Sequence, residues 1–332
     1  MTLRRVVTAT WALAGASLLC GSAGAAVWQV PGDFPTLQAA IDSSQVKDRD
    51  VLEVRAGRHA GATVSKAVQI RAQGRVAIVD GPVVNALGRA GFLFPGGGAG
   101  SGATIEGFRF EGVAFPVFSR GADDVSVTHN TMLAPNQGVT IWAGRGWDVS
   151  HNLVSDLRTS CGGGIGILLG DYRGGTVSGN VIAHNQVLGR VWVPGNDCGG
   201  YSAPGIVLFA DFRWGATGAT LTGNRVTKNR VLLSSRNPAL VPVAGVELSD
   251  TRDLAAELVI TDNDVVHNDL RGMDVPVALT PAELGPPVNR IEKNLTGPAP
   301  RGHTRTRRLL GDAPLASGDA LRTLGNEAAP IR

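Results

Sequence analysis

The sequence predicts an all-β chain wound as a single right-handed parallel β-helix, a solenoid with a short N-terminal capping helix. Three observations predict it. A strand-plus-asparagine unit recurs as VSVTHN (125–130), WDVSHN (147–152), TVSGN (176–180), ATLTGN (219–224), LVITDN (258–263) and NRIEKN (289–294). In each unit a β-branched residue or Leu stands three positions before the Asn, the spacing of an inward apolar residue ahead of a corner. The composition agrees: 332 residues with Gly 45, aromatics at 5% and charged residues at 18% suit short strands joined by tight turns, not helical bundles.

The repeat has a physical meaning. One coil of three-to-five-residue strands cannot bury its apolar face, but stacked coils share a continuous core. Asn tolerates the left-handed backbone of a sharp corner, and its amide bonds to neighbouring backbone. The recurring Asn therefore read as one column at one corner. Their separations are 22, 28, 44, 39 and 31 residues, one bare coil at the shortest and a coil plus a loop at the longest. The organising stretch, 164–185, holds a strand, a turn with Asp171 and Arg173, a second strand, and both Asn180 and Asn185.

At the N-terminus, Arg4 and Arg5 precede an apolar run from about Val6 to Leu19 and the small residues Ala23-Gly24-Ala25. This is the layout of a secretory signal peptide cleaved after Ala25 or Ala26, giving domains at 1–26 (leader), 27–296 (β-helix) and 297–332 (basic C-terminal tail with a capping segment). The run is shorter than the ~20 residues of a membrane span, and no membrane association is expected after cleavage. The expected location is secreted or periplasmic. Pro35, Leu37, Ala40 and Ile41 then mark a capping helix, and strands at 50–54 and 68–70 flank a turn at 56–61.

The stretch at residues 28–81, with the run VPGDFPTLQAAID…DVLEVRAGRHAGATVSKAVQIRAQG…VAIVDG, resembles the opening of the pectin-lyase-like superfamily, and the later Asn repeats resemble its coils. The resemblance implies the β-helix fold and an acidic-polysaccharide ligand. It implies no particular reaction. Gly57-Arg58-His59-Ala60-Gly61 stands where pectin methylesterases carry Gly-x-Tyr-x-Glu, and the arginine motif of pectate lyases and the Asp and His motifs of polygalacturonases are missing.

Inserts at 155–163, 186–204 and 230–244 vary in length, and loops on a rigid scaffold are where binding usually sits. The second carries Trp192 and Tyr201. Cys161 and Cys198 each precede a comparable strand and are each followed by Gly-Gly, so in an oxidising compartment they pair as a disulfide between adjacent coils. After the strands come Asp171-Tyr172-Arg173, Asp211-Phe212-Arg213 and Asp250-Thr251-Arg252. Stacking sets these in a strip, where Arg forks match sugar carboxylates and clustered carboxylates can hold Ca²⁺ or act as acid and base. The competing reading is local pairing of each Asp with its own or the next Arg, worth ~0–1 kcal/mol per pair at a surface. No cofactor is certain from these residues.

Strand alternation turns Thr140/Trp142, Gly166/Leu168, Val207/Phe209 and Glu247/Ser249 outward. A Trp142–Leu168–Phe209 strip would stack on sugar rings or lie under the inserts, and Glu247 is the isolated carboxylate beside it. His129, His151, His184 and His267 each precede an Asn and read as exposed turn residues divided between two corners. Lys+Arg 31 against Asp+Glu 28, with the excess at the chain ends, gives nucleic-acid binding no support.

The functional expectation is a protein that binds an acidic polysaccharide, with cleavage as a lyase or hydrolase as its catalytic form. Catalytic candidates are Asp211, Asp250, Glu247 and Arg213; substrate-binding candidates are Trp142, Phe209, Asp171, Arg173, Arg252, Trp192 and Tyr201. The rival is a non-catalytic surface or scaffold β-helix.

Overall fold

A computed structural model describes residues 24–85, 88–213, 219–252 and 257–299. The expected leader falls almost wholly outside these residues, as does the tail beyond residue 299. Helix Leu37–Asp42 buries Leu37, Ala40 and Ile41 at the N-terminal end of the coils. Its N-cap is Thr36, whose hydroxyl accepts from Ala39 N at 3.1 Å, so Pro35 lies one residue before the cap and not at the first helical position. A second correction concerns 56–61. Strand Val51–Ala60 runs through most of that segment, with register shifts at Arg55/Gly57 and His59/Ala60, because bulges let the chain bend without leaving the sheet.

The coil from Ile165 shows the pattern. Strands Ile165–Asp171, Thr176–Ser178, Val181–Ala183 and Gln186–Val191 follow one another around the turn. Each pairs in parallel with its counterpart one coil later, in Ala203–Ala210, Thr220–Thr222, Arg225–Thr227 and Arg230–Ser235. Apolar residues align inward down the stack. One column runs Ile70, Ile105, Val127, Val149, Ile182, Val226, Val265 and Ile291. Another runs Phe92, Val117, Val139, Ile167, Ile206, Val246 and Val277. Full burial of such side chains contributes roughly 1.5–3 kcal/mol each.

The asparagines form two ladders, not one. Asn130, Asn152, Asn185, Asn229, Asn268 and Asn294 are linked by amide-to-amide hydrogen bonds of 3.0 Å at every step. Asn180, Asn224, Asn263 and Asn289 form the second, with steps of 2.8–3.0 Å. The six sequence units mix the two. Asn130, Asn152 and Asn294 belong to the first ladder; Asn180, Asn224 and Asn263 belong to the second. A positive-φ residue precedes every Asn of the first ladder and Asn180, Asn224 and Asn263 of the second, so the two corners share one sequence signature. The true partner of Asn152 is Asn185, 33 residues on.

Each rung is saturated. Asn185 Nδ2 donates to Val149 O at 2.7 Å and Asn229 Oδ1 at 3.0 Å, while its Oδ1 accepts from Asn152 N and Nδ2, both at 3.0 Å. Removing a central rung strands several buried polar groups at about 1–3 kcal/mol apiece. Asn185→Ala is therefore expected to cost about 3 kcal/mol or more by chemical denaturation. Asn294→Ala, at the half-exposed end of the same ladder, is expected to cost about 1 kcal/mol, since water reaches the groups it leaves. Equal losses at the two positions would show that the ladder is not the source of the stability.

Candidate functional site

The face that the inserts flank is the outside of the sheet containing Gly88–Phe94, Phe115–Ser119, Gln137–Trp142, Ile165–Asp171, Ala203–Ala210 and Val243–Asp250. Its outward residues fall into two rows. Phe118, Thr140, Leu168, Val207 and Glu247 align in one; Trp142, Gly170, Phe209 and Ser249 align in the other. Leu168 therefore stands beside the aromatic row and not within it, and it is 1% exposed. The expected three-residue strip becomes a different group.

That group is an aromatic cluster. The Trp142 indole lies across Gly170, where an added Cβ would sit 2.7 Å from its Cζ3. Tyr172 meets it edge-on at 4.8 Å between centroids, and Phe209 is tilted against it at 6.3 Å. All three rings are half-buried. The Arg173 guanidinium sits 4.8 Å from the Tyr172 centroid, is exposed, and has no carboxylate partner among the described residues.

The three Asp-x-Arg turns differ from one another. Asp171 is 1% exposed, and its Oδ2 accepts from the backbone N–H groups of Arg173, Gly174 and Gly175 at 2.7–3.0 Å. It shapes the turn. Asp211 holds Arg213 bidentately at 2.8 Å, and Asp250 holds Arg252 at 2.8–3.2 Å. Arg252 also donates to Glu257 O and lies 4.5 Å from the Phe212 centroid. Hydrogen bonding to Asp211 pushes the Arg213 guanidinium further up. The Asp211 and Asp250 oxygens are taken by their own Arg, and Asp171 Oδ2 by three backbone N–H groups, while its buried Oδ1 has no hydrogen-bond partner; the pairing of Asp211 and Asp250 suits turn structure better than Ca²⁺ ligation. No group of three His, Cys, Asp or Glu side chains placed to hold a metal occurs among the described residues.

Glu247 is separate from both ion pairs. It stands in the outward row between Val207 and Ala278 and is half-buried, and Ser202 of the long insert donates to its Oε2. Burial pushes its carboxyl up, against the lowering effect of hydrogen bonds from Ser202 and Ser249. Strand alternation makes Glu247 legible in the sequence but not Ser202, because a contact 45 residues apart leaves no local signal.

The inserts are tied together. Cys161 and Cys198 form a disulfide, with Cα atoms 4.8 Å apart. Asp197 accepts from Thr159 Oγ1 at 2.7 Å and Tyr201 Oη at 2.5 Å. Burial alone would raise its carboxyl, but these bonds, with those from the Gly199 and Cys161 backbone, hold it below the usual range. Tyr201 is thus a strut in the insert. Trp192 is exposed on a different side of the coil, where the Arg236 guanidinium lies 3.3 Å from its ring centroid.

Two hollows lie elsewhere, one lined by Ser44, Val46, Lys47, Asp48, Ser65 and Lys66, the other by residues between Gly112 and Arg158. Neither the candidate carboxylates nor Trp142, Tyr172 and Phe209 line either hollow.

The family model described as right-handed beta helix region matches residues 88–276, more than half of the chain. The chain belongs to the right-handed β-helix family. No curated protein and no solved structure matches it. Membership in the right-handed β-helix family accounts for the coils, the ladders and the parallel pairing, and a shared fold assigns no reaction. No helix among the described residues is long and apolar enough to cross a membrane.

The raised Glu247 carboxyl has a checkable sign. A folded-state value above the unfolded one makes the ionised form costly, so the penalty is full above the folded value. It vanishes below the ordinary value of 4.5. Glu247→Gln is expected to raise the thermal midpoint at pH 8 and to leave it nearly unchanged at pH 4, read by calorimetry. A lower midpoint at pH 8 would mean that the Ser202 and Ser249 bonds outweigh the burial.

Proposed function

We propose that this β-helix binds an acidic polysaccharide along the outer face bearing Trp142, Tyr172 and Phe209, and that it does so outside the cytoplasm. The observation that carries the reading is the juxtaposition of three half-exposed aromatic rings with the guanidinium of Arg173, which pairs with no carboxylate among the described residues. Aromatic faces suit the apolar faces of sugar rings, and a guanidinium without an acidic partner is available to a sugar carboxylate. Outward residues aligned from coil to coil suit an extended chain over an enclosed small molecule. The leader layout of the first 26 residues and the disulfide support an oxidising location.

One observation favours a second, catalytic reading. Glu247 is a carboxyl raised by burial on the same face, one coil beyond Phe209's strand, the property a general acid needs. Asp211, Asp250 and Arg213 support it less, because each is already engaged in a turn ion pair.

The test uses polygalacturonate and alginate. Trp142→Ala and Arg173→Gln are each expected to weaken binding about tenfold by calorimetric titration, equivalent to about 1.4 kcal/mol. Glu247→Gln is expected to leave affinity unchanged. Release of unsaturated or reducing ends by the native protein, abolished in Glu247→Gln, would establish the catalytic reading. Unaltered affinity in both Trp142→Ala and Arg173→Gln would remove this face from consideration.

A further inference from the structure

The four histidines that precede asparagines share one corner, correcting the expectation that they divide between two. They precede Asn130, Asn152, Asn185 and Asn268 of the first ladder. With Lys228 and Lys293, which precede Asn229 and Asn294, they form a single exposed column: His129, His151, His184, Lys228, His267 and Lys293. The first three imidazoles stack face to face, with centroids 5.0 Å apart and planes within 6° and 10°.

The backbone makes this column informative. All six residues have φ between 56° and 59°, the left-handed region, where a side chain bearing Cβ is strained. The second corner, with the same geometry, carries Gly179, Gly223 and Asp262. Gly or Asp relieves or tolerates that strain. The first corner instead accepts it six times in succession, and every time with a nitrogen base. Strain held at one repeated position points to a role for the side chains.

We propose that this column is a rail that binds a linear polyanion, and binds it more tightly as the pH falls through the range where imidazoles charge. At the strand spacing of about 4.8 Å, six members span roughly 24 Å in single file, which fits a chain better than a flat anionic surface. The flanking positions leave the rail's charge largely uncancelled. Before the corner stand Thr128, Ser150, Ala183, Thr227, Val266 and Glu292; after it stand Thr131, Leu153, Gln186, Arg230, Asp269 and Leu295. Of the two acids, Asp269 is held by Arg271 at 2.7 Å, and Glu292 by Arg290 at 3.2 Å with Lys293 at 3.8 Å. One outward position further along the first strands are Asp148, Arg225, Asp264 and Arg290, with Asp264 and Arg290 paired at 2.7 Å. At the N-terminal end, Glu106 is paired with Arg71 at 3.3 Å, and Arg109 with Glu111 at 2.6 Å. The rail is independent of the aromatic face, which lies on another sheet.

The test is heparin binding by the whole protein at low salt, with uncharged dextran as control. Affinity is expected to rise at least tenfold from pH 8 to pH 5.5. The triple variant His129→Asn/His151→Asn/His184→Asn keeps a residue that tolerates left-handed backbone, so its fold is retained, and it should lose most of that rise. His59→Asn, away from the rail, should keep it. A triple variant with the native pH response, no heparin binding at pH 5.5, equal binding of dextran, or a preference for anionic vesicles over heparin would each overturn the proposal.

Discussion

Everything in this protein depends on an amide being satisfied twice. Where the chain turns from one short strand to the next, its corner backbone is buried, and buried N–H and C=O groups need partners. A side-chain amide answers both needs, because it donates to the carbonyl of the preceding coil and accepts from that coil's corner N–H. Repeated upward, each amide also bonds the next, so a coil that shifted by one residue would break every rung it touches. The ladder therefore fixes register, and register decides which side chains share a surface. Ring aligns with ring and base with base only because the corners are locked.

The two ladders also explain how the chain tolerates its inserts. Asn185 follows Asn152 by 33 positions and Asn229 follows Asn185 by 44, yet both steps close with the same 3.0 Å bond. The added length leaves the coil between strands and is disciplined there by separate means, through Cys161–Cys198 and the Thr159–Asp197–Tyr201 cluster. Scaffold and loop are thus stabilised by different chemistry. The scaffold relies on apolar columns and neutral amides, the loops on a covalent link and an ionised carboxylate.

How much was legible in the sequence follows from which signals are local. The inward position three before each Asn, the cap at Leu37–Asp42 and the cysteine pair were all readable, because short-range pattern or spacing encodes them. Which ladder a given Asn joined was not, since both corners present a left-handed residue and then a buried amide. That ambiguity hid the common corner of the histidines. It also displaced Leu168 from its true row, because alternation along a strand gives the face while only pairing gives the column. Tyr172 against Trp142 and Ser202 against Glu247 arise from contacts between coils or with an insert, where one-dimensional reading has least to offer.

Gly138, Gly166, Gly205 and Gly245 stand near the starts of strands Gln137–Trp142, Ile165–Asp171, Ala203–Ala210 and Val243–Asp250, and a methyl group on any of them would fall within about 2.3–2.9 Å of a carbonyl oxygen in the following coil. Along this seam main chain packs directly on main chain, with core side chains such as Val187 and Val231 closing the remaining space. Where main chain abuts main chain there is little room to absorb error, so the solenoid should be stiff along this line. Bending of the rod, under load or on contact with a long polymer, would then have a preferred direction set by four hydrogen atoms.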